Sequence, residues 1–157
     1  MQKRMYMTHK GKQKLEIELR KIKFKDRPKV LTELEAAIAQ GDLSENAEYH
    51  AAKERLGIIN AKIDDLESKL ARAEVVDISK IDISKVVFGT LVKLVNLDTM
   101  AEISYRIVGD FEAEIENNEI SISSPVARVL IGKTVGDEVT VNTPGGVKQF
   151  EIVEINR

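Results

Sequence analysis

With 157 residues, the chain has room for one ordinary domain or two small ones. Charged residues make up 32% and aromatic residues only 4%, which favours long solvated helices over a large globular core. The absence of cysteine excludes disulfides, thiolate zinc sites and cysteine nucleophiles. No apolar run approaches the roughly 20 residues of a membrane span, and no secretory signal follows Met1. We therefore expect a cytoplasmic protein with no membrane partner.

The net charge of −2 is unevenly distributed along the chain. Residues 1–30 hold 11 Lys and Arg against 3 Asp and Glu, a net charge of +8, whereas residues 31–76 and 77–157 each carry −5. A basic start on an otherwise acidic protein indicates contact with a polyanion or with an acidic protein surface. A solvated, lysine-rich helix face is the alternative, and both interpretations stay open.

The first 76 residues predict two paired helices. The first runs from about Thr8, a suitable N-cap, to Gln40, with a phase slip at Asp26-Arg27-Pro28, where proline removes a backbone donor. The second carries an unbroken heptad seam. The short connection over residues 41–46 predicts that the helices run antiparallel. The apolar positions are Leu15, Leu19, Ile22, Leu31, Leu34 and Ile38 in the first helix, and Tyr49, Ala52, Leu56, Ile59, Ile63, Leu66, Leu70 and Ala73 in the second.

Residues 77–157 predict a small antiparallel sheet with one short helix. A linker with short extended pieces, residues 75–82, precedes it. The helix is Pro125–Ile131, with Ser124 as N-cap and Gly132 ending it. The predicted strands are 87–95 with a bulge at Gly89, 101–107, 119–122, 138–141 and 150–155, with a turn at 143–146. The fold class is therefore α+β, with a coiled-coil domain over 1–76 and a sheet domain over 77–157.

The connection between the two helices carries the candidate functional residues. It reads Gly41-Asp42-Leu43-Ser44-Glu45-Asn46-Ala47-Glu48, so that Asp42 and Glu45 present two carboxylates at the end of a rod. Such a tip, residues 41–48, is suited to deliver acids into a partner. The same residues also resemble a capping box, and Ser44 is an alternative N-cap. Local sequence leaves both interpretations open.

A self-contained catalytic site is not expected. The chain has no P-loop, no G-x-G-x-x-G and no H-E-x-x-H, and His9 and His50 lack a second histidine at ligand spacing. Mg²⁺ often uses only one or two carboxylates and completes its shell from water and phosphate oxygens. Two tip carboxylates therefore suit a metal site whose other ligands belong to a partner.

The segment from Gly41 to Glu54 resembles the tip signature of the bacterial Gre transcript cleavage factors, of the A type. The second half is similar to successive blocks of that family's C-terminal domain, in the same order. These blocks are residues 88–92, 105–109, 122–127, 130–133 and 143–146. The resemblance covers essentially the whole chain.

The resemblance implies an FKBP-like C-terminal domain without isomerase activity and a factor that binds bacterial RNA polymerase. It also implies that the coiled coil enters the secondary channel and brings Asp42 and Glu45 to the active centre as catalytic and Mg²⁺-binding residues. There the Mg²⁺ is held jointly with the polymerase, and the isolated protein binds none. The polymerase then cleaves backtracked RNA, so that arrested elongation resumes. The chain is expected to be a stimulating factor and a monomer, not an enzyme.

Contact residues follow from the same resemblance. Lys53 and Arg55 are candidate contacts for the nascent RNA 3′ end, and Ser124 with Pro125 is a candidate polymerase-docking site. The family often has a basic residue just before the tip glycine, whereas Ile38 and its neighbours in this chain include no basic residue. We therefore expect it to favour short backtracks.

Two alternatives remain at this stage. One is a channel-binding polymerase regulator that does not stimulate cleavage, and the other is a coiled-coil adaptor or chaperone. The paired acids favour cleavage. Leu43 is the only apolar residue from Gly41 to Asn46, which disfavours a chaperone tip.

Overall fold

A computed structural model describes residues 3–157, and the fold divides into two units. One unit is Gln13–Arg72, and the other joins residues 3–12 to Ala73–Arg157. The sequence predicted that residues 1–76 form one domain. In the structure, residues 3–12 and 73–76 belong instead to the unit that contains the sheet. The reason is an unpredicted parallel strand pair, in which β1 (Met5–Thr8) lies beside β2 (Ala73–Val76).

The helical unit contains an antiparallel hairpin. Its elements are α1 (His9–Lys21, begun in the other unit), a π-helical turn (Ile22–Asp26), α2 (Arg27–Ala39) and α3 (Ala47–Arg72). The ion pairs across the hairpin join the two helical arms in opposite order along the chain, as antiparallel packing requires. The Lys23 Nζ–Glu67 Oε1 pair is 3.1 Å apart, and the Arg55 Nη2–Glu33 Oε2 pair is 2.6 Å apart. The antiparallel pairing and the α+β class are thus confirmed.

The predicted phase slip is a π-helical turn. The Arg27 N–H donates to the carbonyl of Ile22, five residues earlier. Pro28 has no N–H, and in an α-helix its ring would collide with the carbonyl of Phe24. The wider turn relieves that collision and shifts the apolar register of α2. Val30 and Ala37 are buried, whereas Ile38, predicted to face inward, is 48% exposed.

The apolar seam predicted for α3 lies on its inward face. Ala52, Ile63 and Leu66 are buried, and Tyr49, Leu56, Ile59 and Leu70 are half-buried. Acidic and basic residues occupy most of the outer positions, as expected for a helix packed along one stripe, and Ile58 is an exposed apolar exception.

The second unit is built on a five-stranded sheet of order β5-β4-β3-β7-β6. The strands are β3 (Leu91–Asn96), β4 (Glu102–Val108), β5 (Glu119–Ser121), β6 (Glu138–Thr143) and β7 (Gly146–Asn156), and α4 is Pro125–Leu130. Alternate residues of the central strands, among them Val92, Leu94 and Ile107, enclose the core together with Ala127 and Leu130 of α4.

Two details of this sheet were predicted wrongly. β5 pairs parallel to β4, so the sheet is mixed and not wholly antiparallel. Gly89, predicted as a bulge within a strand, lies in a turn before β3 at φ +90°, and its N–H donates to the Ile107 carbonyl. The register irregularity falls instead between Lys93 and Leu94, opposite β7. The turn predicted at 143–146 is confirmed.

A buried carboxylate fixes the start of α1 within this unit. Glu112 is 9% exposed and accepts hydrogen bonds from the Thr8 backbone N–H at 2.8 Å, from the Thr8 hydroxyl and from the Gly109 N–H at 3.1 Å. The Thr8 hydroxyl also accepts from the Gly11 N–H at 3.0 Å, so Thr8 is the N-cap that was predicted. Gly11 is required here, because a Cβ would lie 2.4 Å from Glu112 Oε1.

Candidate functional site

The tip of the hairpin is a short, tightly hydrogen-bonded connection. α2 ends with Gln40 N–H donating to Ala37 O and Gly41 N–H donating to Ile38 O, each at 3.2 Å. Gly41 adopts φ +97°, which side chains other than glycine rarely tolerate. The chain can therefore leave the helix and reverse its direction within a few residues.

Asn46 is the N-cap of α3, and the sequence interpretation missed it. Its Oδ1 accepts from the Tyr49 N–H at 3.0 Å, and its Nδ2 donates to the Ala37 carbonyl at 2.8 Å. One side chain thus caps one helix and ties it to the end of the other. Neither the Asp42 capping box nor the Ser44 cap forms, because Asp42 Oδ1 accepts instead from Ser44 N–H at 3.2 Å and Ser44 Oγ at 2.8 Å.

The two predicted acids lie outside the helix and face solvent. Asp42 and Glu45 are both exposed. Within residues 3–157, Asp42 Oδ2 and the Glu45 carboxylate have no hydrogen-bond or ion-pair partner. They line an open depression of about 420 Å³ together with Gln40, Asn46, Ala47 and Glu48. The acids are therefore available to an external ligand.

Glu48, the third acid of the tip, is less available. Its Oε2 accepts from Gln40 Nε2 at 3.0 Å, across the base of the connection. His50 Nε2 lies 3.3 Å from the carbonyl of Ser44. These contacts brace the loop that carries Asp42 and Glu45.

The donor set fits a shared site for a hard cation. Carboxylate oxygens are the ligands that Mg²⁺ prefers, and it accepts one or two of them when phosphate and water complete its shell. In the described part of the chain, no three His, Cys, Asp or Glu side chains cluster as a metal site. Any Mg²⁺ held by Asp42 and Glu45 would therefore need its other ligands from outside residues 3–157, and this role stays a prediction.

The structure separates the two candidate RNA contacts. Lys53 and Arg55 are two residues apart on α3, so they point to different faces of the helix. Lys53 lies 5.9 Å above the Tyr49 ring, on the side of the tip. Arg55 is paired with Glu33 of α2. Within residues 3–157, Lys53 therefore contacts the Tyr49 ring and makes no ion pair, whereas Arg55 is engaged with Glu33 across the hairpin.

The candidate docking residues begin α4 as the sequence predicted. Ser124 Oγ accepts from the Ala127 N–H at 3.2 Å, and Pro125 is the first helical residue. Pro125 is exposed, and Ala127 behind it is fully buried. The local geometry is confirmed, and the docking role stays a prediction.

Comparison with known proteins defines the class. The family described as "Transcription elongation factor, N-terminal" matches residues 5–75, and that described as "Transcription elongation factor, GreA/GreB, C-term" matches residues 81–157. The helical hairpin with its acidic tip and the small sheet that follows it therefore correspond to the two domains of a transcription elongation factor.

Relatives place the chain within that class. Transcription elongation factor GreA of Nitrosococcus oceani is 52% identical over 150 residues, and that of Caulobacter vibrioides is 50% identical over 149 residues, with 95% of both chains covered in each case. A solved GreA/GreB structure from Nitrosomonas europaea is 25% identical with a TM-score of 0.45, covering 99% of this chain and 100% of that one. The two family matches and the relatives of about 50% identity show that the chain belongs to the GreA/GreB family and is of the GreA type. This membership implies interaction with RNA polymerase.

Among residues 3–157, no helix is both long enough and apolar enough to span a membrane.

Proposed function

We propose that this elongation factor enters the secondary channel of bacterial RNA polymerase and stimulates endonucleolytic cleavage of backtracked RNA. One observation carries the proposal. Asp42 and Glu45 are exposed on a tip whose folding does not require them as helix caps, because Asn46 caps α3. Among the described residues, neither acid caps a helix or pairs with a base. Only one oxygen of Asp42 is engaged, by Ser44 of the same loop, and a position at the end of a hairpin suits delivery of the remaining carboxylate oxygens.

In this proposal the two acids supply Mg²⁺ ligands that the polymerase active centre does not provide by itself. Asp42 and Glu45 would hold Mg²⁺ together with groups of the polymerase active centre. When bound, the ion activates water and stabilises the charge of the attacked phosphate. Ser44 orients Asp42 by two hydrogen bonds to one oxygen and leaves the other oxygen for a ligand. α3, with 26 residues, gives a reach of about 39 Å.

The hydrolytic chemistry then belongs to the polymerase. The chain supplies ligands and positions them, and by itself it is not an enzyme. We further propose that it acts as a monomer in the cytoplasm, where bacterial transcription takes place. The metal is shared, so the isolated protein is not expected to retain Mg²⁺.

The test is stimulated cleavage in a stalled, backtracked elongation complex supplied with Mg²⁺. The parent protein should shorten the transcripts, and Asp42→Asn and Glu45→Gln should each abolish the stimulation while polymerase affinity stays within about twofold. Glu54→Gln, an exposed acid of α3 beyond the tip, is the matched control and should cleave normally. If the parent binds polymerase without shortening RNA, the chain is instead a channel-binding regulator.

RNA contact is a separate part of the proposal. Lys53→Gln should weaken cleavage of long backtracked RNA more than of short, because a longer displaced end offers more phosphates, and it should reduce the salt sensitivity. Arg55→Gln removes the ion pair to Glu33 and should mainly cost stability, by about 0.2–1 kcal/mol for an exposed pair. Equal cleavage of long and short backtracks by Lys53→Gln and the parent would exclude the contact.

Docking through α4 is testable with the same polymerase. We propose that Ser124 and Pro125 form part of the surface that holds the factor at the channel entrance. Pro125→Ala keeps the Ser124 cap and removes an exposed ring, so it should weaken polymerase binding without unfolding the sheet. Unchanged affinity would place the docking surface elsewhere.

A further inference from the structure

The outward face of α1 and the π-helical turn exposes two large apolar side chains. Ile17 is 62% exposed and Phe24 is 68% exposed. They border an open groove of about 620 Å³ together with Arg20, Lys21 and Lys25. These five residues are called the α1 patch below. Its two apolar members are seven residues apart, about 10 Å along a helix.

The π-helical turn explains why Phe24 points away from the hairpin. Ile22 is buried, Lys23 pairs with Glu67 of α3, and Arg27 Nε donates to Asn60 Oδ1 at 3.0 Å. Residues on both sides of Phe24 therefore face α3, while Phe24 faces solvent. π-helical turns frequently mark functional positions, and here the turn adds an exposed ring to a face that already carries Ile17.

The charges around this face are unpaired. In the described residues, no hydrogen bond or ion pair engages the side chains of Arg20, Lys21 or Lys25, in contrast to Lys23. An apolar centre with a basic rim is complementary to an acidic surface that has an apolar anchor. Apolar side chains seven residues apart on a helix are also a spacing by which an amphipathic helix binds in the hydrophobic groove of a partner.

Charge and shape favour one occupant. A second copy using the same patch would set three cations against three, which is repulsive. Single-stranded nucleic acid binds on successive aromatic rings, whereas this patch has one ring and an aliphatic side chain. Resting on the proposed function, we infer that the α1 patch docks on an acidic surface of RNA polymerase that inserts an apolar side chain between Ile17 and Phe24.

The experiment measures the affinity of full-length variants for bacterial core RNA polymerase. Ile17→Ser with Phe24→Ser removes the apolar centre, and Lys21→Gln with Lys25→Gln removes part of the rim. The matched controls are Ile58→Ser, which is 52% exposed on α3, and Lys62→Gln on the same helix. Circular dichroism verifies that each variant folds.

We expect the apolar pair to weaken binding by about tenfold or more, as for buried anchors of an interface. The basic pair should weaken it at low salt and flatten its salt dependence, and both controls should stay within about twofold. At saturating protein, the patch variants should still stimulate cleavage, whereas Asp42→Asn should not. This difference separates failure of the patch from failure of the proposed function.

Unchanged polymerase affinity in either patch variant overturns the inference. Loss of binding to a free single-stranded RNA oligonucleotide, with polymerase affinity intact, would assign the patch to nucleic acid. A dimer of the parent in sedimentation that the apolar variant abolishes would assign it to a second copy.

Discussion

Asn46 is the residue whose replacement best tests the account of the tip. Its amide caps α3 through the Tyr49 N–H and holds the end of α2 through the Ala37 carbonyl. Asp42 and Glu45 lie in the connection that this side chain closes. Asn46→Ala should therefore lower stability and, separately, loosen the placement of the two acids.

The size of the stability loss follows from the two bonds. Loss of an N-cap amide costs about 1 kcal/mol, and loss of the hydrogen bond to the Ala37 carbonyl costs about another 1 kcal/mol. The total of about 2 kcal/mol corresponds to a fall in Tm of about 4–8 °C for a chain of this size. Asn46→Ser keeps a cap acceptor but cannot donate to Ala37, so it should lose about half as much.

Thermal unfolding and the cleavage assay together check this prediction. Asn46→Ala should reduce cleavage at saturating protein while polymerase affinity stays unchanged, because the acids are misplaced and not removed. If Asn46→Ala melts and cleaves like the parent, the side chain does not organise the tip. If it melts early but cleaves normally, capping and placement of the acids are independent.

Other substitutions test the fold and its electrostatics. Gly57→Ala in the middle of α3 should raise the free energy of unfolding by about 1 kcal/mol, because no atom lies within 4 Å of the added Cβ. Gly11→Ala should be strongly destabilising, because its Cβ would clash with Glu112. Denaturant unfolding of the two variants checks both predictions. The pKa of Asp110 is lowered chiefly by the hydrogen bond from Ser121, and then by that from Ser123. A lowered carboxyl pKa stabilises the fold above the unfolded-state pKa, and this contribution is lost as pH falls through the folded-state pKa. Ser121→Ala should therefore raise the Asp110 pKa in an NMR titration and cost more stability at neutral pH than in acid; an unchanged pKa would contradict the assigned cause.

Periodic apolar patterns predicted the elements well because each pattern is a local property of the chain. The seam of α3, the antiparallel hairpin and α4 with its Ser124 cap all follow from spacings within one segment. The phase slip at Pro28 was visible for the same reason. Its form, a π-helical turn, depends on how the hairpin packs, and so the inward positions of α2 were misassigned.

Contacts between distant segments were not predictable in this way. β1 pairs with β2 across more than sixty residues, and Glu112 bonds to Thr8 across 104 positions. Parallel pairing of β5 with β4 likewise depends on the chain that connects them. No short-range pattern specifies such partners.

The tip shows the same limit within one loop. Asp42, Ser44 and Asn46 are all good N-cap residues, and local preference does not rank them. Asn46 prevails because its amide can also donate to Ala37 at the end of the other helix. Local sequence therefore left capping and metal binding both open for the acids, and it could not show that neither of them is needed as a cap.

The most direct test of the central claim is the Mg²⁺ dependence of stimulated cleavage at saturating protein. If Asp42 and Glu45 hold the ion jointly with the polymerase, Asp42→Asn and Glu45→Gln should require far more Mg²⁺ than the parent or fail at every concentration. Glu54→Gln should follow the parent curve. Coincident Mg²⁺ curves for the parent and both tip variants would contradict a metal-binding role for the two acids.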